Sequence, residues 1–376
     1  MKAINKVLGL IAVSSLFACS NEEIMTPVID AETNSPTEYP IQLSGGCTAT
    51  TRAAITDDGS NEIKGIAVWG LAKDAMQENT SPQGIKWFSN NIENATCCIM
   101  RNVKANVISN SVEWDDPNAR YYYPVTHFYR YEFYANYPYT TDVTYTETSA
   151  VANYTIDGTN DLLWGRATSD SPYAWSAKYF RVNGGQTLSN RPNIKLEHLL
   201  TRLVFFVQPG PKVEIPGATE DELDFEAASS MMVDTLQICN AYTNLAVKIA
   251  DFNNLDMGIS SRVTRRTGDT DTLYLKNATG EIVSPIQVPQ RPSLKVQWGE
   301  SIMLFPSYEY VVRLVLHDST GRKYVSEIPL TLSNLSTGFE RGKSYNITIT
   351  VHGPTSVTSA AKLTPWEELD GPELVL

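Results

Sequence analysis

Cysteine is the residue type in this 376-residue chain best equipped to do chemistry, and its five copies fall into two groups. Cys47, Cys97, Cys98 and Cys239 can pair as disulfides in an oxidising compartment; four thiols allow three connectivities, and sequence alone does not choose among them. They make a poor zinc site, because no second close pair faces Cys97-Cys98 and the histidines are scattered. His198, in "LEHLLTRL", is the one histidine in a strongly apolar setting. General-base work needs a partner nucleophile that the sequence does not supply, so His198 reads as a hydrogen-bonded packing residue. Asp57-Asp58-Gly59 lacks the remaining ligands of a calcium loop and reads as a turn. No G-x-S-x-G elbow, H-E-x-x-H, glycine-rich phosphate loop or paired-cysteine zinc motif occurs. Carboxylates for glycoside cleavage are paired in space rather than along the chain, so a surface hydrolase stays open as the minority reading. No catalytic, cofactor or metal residue is assigned.

Cys19 stands apart from the other four. Lys2 and Lys6 give a positive start, Val7 to Phe17 is mostly apolar and Ala18 is small, the pattern of a secretory leader over residues 1–18. That stretch is too short to span a bilayer as a helix. Leu16-Phe17-Ala18-Cys19 resembles the bacterial lipobox, in which the cysteine thiol is joined to diacylglycerol and the chain is cut just before it. Each buried methylene contributes about 0.8 kcal/mol, so two or three acyl chains hold firmly where one is marginal. The resemblance implies a palmitoylated outer-membrane lipoprotein, attached to the membrane through Cys19. The longest later apolar run, "LLTRLVFFV", is broken by Thr201 and Arg202. Ser20-Asn21-Glu22-Glu23 resembles the acidic export signal of Bacteroidales surface lipoproteins and directs the reading to the cell exterior.

The elements that must carry these residues follow from composition. With 30 Lys and Arg against 42 Asp and Glu, the net charge of −12 is a poor platform for phosphate backbones, and nucleic acid is excluded as a partner. The 19 Tyr, 7 Trp, 20 Pro and 22 Gly favour many short strands joined by turns, hence an all-β fold. The length accommodates two cores.

Along the chain, residues 19–38 are polar, acidic and Pro-containing and read as a solvated tether. "EYPIQLSGG" alternates Tyr39, Ile41 and Leu43, a short strand that Pro40 confines to a sheet edge. "NEIKGIAVWGLA" is suited to a strand buried on both faces. The stretch 114–139 is intensely aromatic. There Tyr131, Phe133 and Ala135 alternate with Glu132, Tyr134 and Asn136, which predicts one buried and one wetter face. An aromatic stripe can also stack sugars, so a monomeric glycan-binding surface lipoprotein using Trp114 and Tyr131 is the alternative reading. Gly184-Gly185 and the polar run to Asn193 form a linker, which sets an N-terminal domain at 39–190 and a C-terminal domain at 191–376. After it "IKLEHLLTRLVFFVQPG" predicts one turn of helix and then a fully buried strand from Leu203 to Val207. "DTLQICN", "LAVKIAD" and "DTLYLKN" look like strands. "EYVVRLVLHDSTGRKYVSEIPL" predicts a hairpin around Asp318-Ser319-Thr320-Gly321. "GKSYNITITVHG" sets Tyr345, Ile347, Ile349 and Val351 on one face, as in a half-buried antiparallel sheet.

Taken in order, the lipobox at Cys19, "PIQLSGG" followed by "TTRAAI", "IKGIAVWG", "RYEFYANYP", "DLLWG", "KLEHLLTRLVFFV", "IMLFP", and "FERGKSYNITITV" followed by "TPWEE" resemble the fimbrillin family of Bacteroidales pilus proteins over nearly the whole chain. The resemblance implies two tandem β-sandwich domains similar to transthyretin, and a structural subunit of a fimbrium that supports adhesion. It also implies assembly with other pilin subunits by donor-strand exchange, the surface ligand being unidentified. In polymerising members a trypsin-like protease cuts after an arginine in the first loop and the preceding edge strand is lost. Arg52-Ala53 occupies the matching place, and the strand lost carries Tyr39, Ile41 and Leu43. The vacated groove invites an extended segment of another chain. Two departures stand out. The C-terminal "LTPWEELDGPELVL" is short and interrupted by Asp370-Gly371-Pro372, leaving Trp366, Leu374 and Leu376 as the donor candidates. Cleavage after Arg52 would also release Cys47 and leave an odd number of thiols.

Overall fold

Strands form wherever the period-two pattern or a β-branched apolar run permits, and short turns rich in Gly, Asp and Asn fold them against one another. The computed structural model describes residues 28–29, 36–47, 62–75, 85–89, 96–125, 129–171, 173–187, 189–210, 230–266, 270–290, 294–332, 338–353 and 356–364. The chain is all-β; among the described residues Ala177–Val182 is the α-helix, opened by the Ser176 hydroxyl, which accepts from the Tyr179 amide at 3.1 Å.

One sheet closes on itself. Its strands run in the order Leu163–Ala167, Asn193–His198, Ser44–Cys47, Ser111–Trp114, Cys98–Ile108, Ile63–Ala75 and Tyr129–Tyr137, and the last returns to the first. A second sheet, in the order Val263–Arg265, Asn244–Asp251, Ser149–Thr155 and Val143–Tyr145, shares its core. The later half holds two facing sheets. One runs Val296–Gln297, Thr201–Pro209, Ser344–Gly353 and Ser356–Thr364, with Ile302–Leu304 also paired to Thr201–Pro209. The other runs Thr270–Tyr274, Met232–Tyr242, Glu309–His317 and Lys323–Thr331, with Ile286–Gln287 on Met232–Tyr242.

Leu199 and Leu200 belong to the first hydrophobic core, and Leu203 opens the second. The chain then returns. Leu245, Val247, Ile249, Ala250 and Val263 are buried in the first core although Met231 to Ala241 lie in the second. The return is made by Asn244–Asp251, which pairs antiparallel with Ser149–Thr155 from Thr155↔Asn244 to Ser149↔Asp251.

Three details depart from the sequence reading. The 129–137 strand has no wet face: Glu132, Tyr134 and Asn136 are as buried as Tyr131, Phe133 and Ala135. Their polar atoms are satisfied internally, which is what permits the burial. Glu132 pairs with Lys73 at 3.0 Å and accepts from the Tyr134 hydroxyl at 2.6 Å. Asn136 accepts from Trp69 Nε1 at 2.8 Å and donates to the Tyr154 hydroxyl at 2.7 Å. Residues 193–198 form a strand, not a helical turn, because Ile194, Leu196 and His198 face the core at period two and the backbone pairs with Leu163–Ala167. Ser344–Gly353 keeps its apolar face, but it pairs in parallel with Thr201–Pro209 and antiparallel only with Ser356–Thr364. The period of a strand reports its face and not the direction of its neighbour.

The Asn136 network ties the closed sheet to the second sheet through Tyr154, whose hydroxyl donates on to the Pro138 carbonyl at 2.7 Å. Asn136→Ala leaves the Trp69 N–H in the core without its acceptor and takes from the Tyr154 hydroxyl the donor it accepts from, leaving that hydroxyl the Pro138 carbonyl. It is expected to lower stability by about 2–4 kcal/mol, read as a shift of the urea midpoint with unchanged slope.

Candidate assembly site

Among the described residues, the 36–47 segment is the part of the first core that precedes Arg52 in the chain, so its attachment decides what trimming there would do. Pro36–Pro40 lies between Val28–Ile29 and Tyr122–Tyr123, opposing Tyr39 to Tyr123 and Pro40 to Tyr122. Pro40 lacks a donor and the ladder stops with it. The chain continues extended through Ile41, Gln42 and Leu43, where the Ile41 amide donates to the Tyr121 carbonyl at 2.7 Å and Leu43 O accepts from the Val112 amide at 3.1 Å. Ser44–Cys47 then enters the closed sheet, parallel to Asn193–His198 from Ser44↔Asn193 to Cys47↔Leu196 and antiparallel to Ser111–Trp114 at Ser44↔Ser111. The segment therefore has neighbours on both sides rather than lying at a sheet edge. Gly45 and Gly46 lie inside the strand instead of ending it.

Side chains hold it as firmly as the ladder does. Tyr39, Ile41 and Leu43 are 3%, 1% and 1% exposed and belong to the first core. Tyr123, opposite Tyr39, packs on Phe180 of the helix at 5.1 Å and on Phe133 at 6.1 Å. Burial raises the phenol pKa of Tyr39, with the Arg181 guanidinium pulling the other way, and raises that of Tyr123 well above its ordinary value. Both rings stay neutral and act as apolar bulk.

The thiols are equally quiet. Cys47, Cys97, Cys98 and Cys239 are unbonded to one another. Burial raises the pKa of Cys97 and pushes that of Cys98 up to about 12, so neither is a thiolate nucleophile at neutral pH. His198 is a packing residue, with Nδ1 against the Asp161 carboxylate and both side chains buried. The described residues hold no group of three or more His, Cys, Asp or Glu arranged for a metal ion. What the site presents is a strand with neighbours on both sides and an apolar face in the first core.

Of the residues singled out from sequence, Tyr39, Ile41 and Leu43 come together in this segment; Cys19, Arg52, Ala53, Trp366, Leu374 and Leu376 lie outside the described residues. The aromatic platform is not assembled. Trp114 is half-buried with Tyr121 at 5.1 Å, but Tyr131 is 1% exposed and its hydroxyl donates to the Thr96 carbonyl at 2.8 Å. Sequence reasoning missed Tyr123 and Phe180, which cap the segment. The turn-like "SAKYFRVNGG" around Phe180 carried the only signal, a serine N-cap followed by Gly-Gly.

An all-β chain in which a strand preceding Arg52, Ser44–Cys47, is held between two neighbours in a closed sheet is the class of protein that this geometry defines. The chain belongs to the fimbrillin-like family, which matches residues 51–366. It is similar to a Bacteroides uniformis protein described as a candidate cell adhesion protein, at 15% identity and TM-score 0.47, covering 88% of this chain and 99% of that one. It is also similar to a fimbrial protein from Bacteroides vulgatus, at 12% identity and TM-score 0.47 over 87% and 99%. The fimbrial anchor protein Mfa2 from Porphyromonas gingivalis is similar at 10% identity and TM-score 0.36 over 88% and 98%. No curated protein sequence matches the chain.

Proposed function

We propose that this chain is a structural subunit of a surface fimbrium, exported as a lipoprotein on Cys19, trimmed after Arg52 and polymerised by donor-strand exchange in support of adhesion. Membership of the fimbrillin-like family supports the fimbrial role. The observation that carries the exchange step is the two-sided 36–47 segment: it precedes Arg52, and its departure opens the closed sheet between Asn193–His198 and Ser111–Trp114. Backbone groups on both strands then lack partners, and the floor that Tyr39, Ile41 and Leu43 covered meets water.

The incoming strand comes from the C-terminal end of another subunit, with Trp366, Leu374 and Leu376 as its apolar anchors. That end follows Ser356–Thr364, which among the described residues pairs only with Ser344–Gly353 and lies at the margin of its sheet. Filling such a groove with an extended peptide is β-strand addition: ladder bonds supply affinity and alternate side chains supply register. The reading involves no catalysis and no cofactor.

The test is electrophoresis of surface material without heating. Wild type should give a ladder of sodium dodecyl sulfate-resistant species that boiling collapses to one band. Arg52→Ala should give that one band with or without heating; a ladder that persists in the variant, or a wild type that never forms one, removes the proposal.

A further inference from the structure

Four chain segments converge where the two cores meet: the ends of Met232–Tyr242 and Val263–Arg265, the chain just after Ile302–Leu304, and the stretch leading into Ser344–Gly353. They enclose a pocket of about 420 Å³ lined by Tyr242, Arg265, Phe305, Tyr308, Glu340 and Arg341, among others. That volume lies in the range of small-ligand sites, which favour junctions of this kind. Tyr242 and Phe305 are packed against the first core, whereas Phe339 at the pocket wall belongs to the second.

The pocket is built from flat surfaces and a free fork. Tyr242 and Phe305 meet edge to face at 6.1 Å, and the Arg265 guanidinium lies 4.3 Å from the Tyr242 centroid and 5.5 Å from that of Phe305. Arg265 is exposed, and among the described residues no carboxylate or carbonyl engages it. A guanidinium laid on rings keeps its in-plane N–H groups for a planar acceptor such as a carboxylate. Arg341, by contrast, is occupied, with Nη2 donating to the Ser260 carbonyl at 3.0 Å and Nη1 to that of Ile259. Glu340, a half-buried residue, also lines the pocket and makes no ion pair among the described residues.

Tyr308 completes the wall. It is 74% exposed, yet its backbone is fixed: the Phe339 amide donates to Ser307 O at 2.8 Å, and Gly338, at φ +70°, approaches so closely that a Cβ there would lie 2.7 Å from Tyr308 Cα. A large ring held out in water on a fixed backbone is suited to a flat, partly apolar ligand.

We propose that this pocket binds one hexuronate residue of an acidic glycan. The apolar face of the pyranose lies on Tyr308, its carboxylate takes the two parallel N–H groups of Arg265, and a ring hydroxyl donates to Glu340. The charge balance favours an acidic over a neutral sugar: two arginines and one glutamate line the pocket, in a chain whose net charge is −12. The site is independent of strand exchange and is present in the single subunit.

Saturation-transfer NMR on the full chain with methyl glucuronide, methyl glucoside and N-acetyl-leucine tests it. Methyl glucuronide should bind at least tenfold more tightly than either of the others. Arg265→Lys, which keeps the charge and loses the fork, and Tyr308→Ala, at an exposed position, should each weaken binding at least tenfold with an unchanged thermal midpoint. No binding by wild type, equal binding of the glucoside or of N-acetyl-leucine, or undiminished binding by both variants overturns the proposal.

Discussion

A chain that begins at Ala53 is expected to be less stable in its first half than one carrying residues 36–52, by about 5–9 kcal/mol, and a peptide of residues 36–47 added in trans should restore most of the loss. The figure follows from burial. Tyr39, Ile41 and Leu43 are almost fully covered, and each such side chain contributes about 1.5–3 kcal/mol. The loss is comparable with the whole stability of an ordinary domain, about 5–15 kcal/mol, so the trimmed subunit is marginal until something fills the vacancy. The peptide must match in side chains as well as in backbone. A version with Ile41→Ser and Leu43→Ser keeps every ladder group and should restore little. Chemical denaturation followed by the near-ultraviolet signal of Trp69, Trp164 and Trp175, all buried in the first core, reads the effect. Equal stability of the trimmed and untrimmed chains would mean that the 36–47 segment covers nothing that matters.

The second large effect concerns the returning strand. A fragment ending at Gly210 should not fold, although it contains every strand of the closed sheet. It lacks Asn244–Asp251 and Val263–Arg265, and with them Leu245, Val247, Ile249 and Val263, whose burial contributes about 6–12 kcal/mol. It also loses a set of polar contacts. Trp164 Nε1 donates to the Ile249 carbonyl at 2.9 Å, and the Arg262 guanidinium lies 4.1 Å over the Trp164 ring. Arg262 itself is buried, and burial lowers its pKa to about 10; its Nη2 donates to the Met257 carbonyl at 2.9 Å and its Nη1 to that of Ile249 at 3.2 Å. The fragment is expected to bind a hydrophobic dye and to show no cooperative transition. Appending residues 243–266 through a flexible linker should bring the transition back. A fragment that melts cooperatively without them would mean that the two halves are independent. In the intact chain the same coupling is expected to make the two halves unfold in one transition.

What the sequence disclosed and what it hid follow one physical division. Side-chain period reports which face of a strand is buried. Hence Tyr345, Ile347, Ile349 and Val351, the apolar run 66–72, and the alternation of Tyr39, Ile41 and Leu43 were all legible as core. Neighbours are set by contacts between residues far apart in the chain, which leave no local mark. Neither the parallel partner of Ser344–Gly353 nor the passage of Asn244–Asp251 into the first core could be read from spacing. Polar residues misled for a related reason. Glu132 and Asn136 look like a solvated face until Lys73, Trp69 and Tyr154 arrive to satisfy them. The 36–47 segment was legible in its residues and not in its setting, since the strands that flank it come from residues 111–114 and 193–198.

The proposed assembly requires a strand that leaves so that another molecule's strand can arrive. Determining the N-terminal residue of the protein taken from intact cell surfaces, by sequencing and mass spectrometry of the polymeric fraction, tests this most directly. Ala53, with no peptide from residues 36–47 present, is the predicted result; a lipidated Cys19 on that same material, with the 36–47 segment still attached, would contradict it.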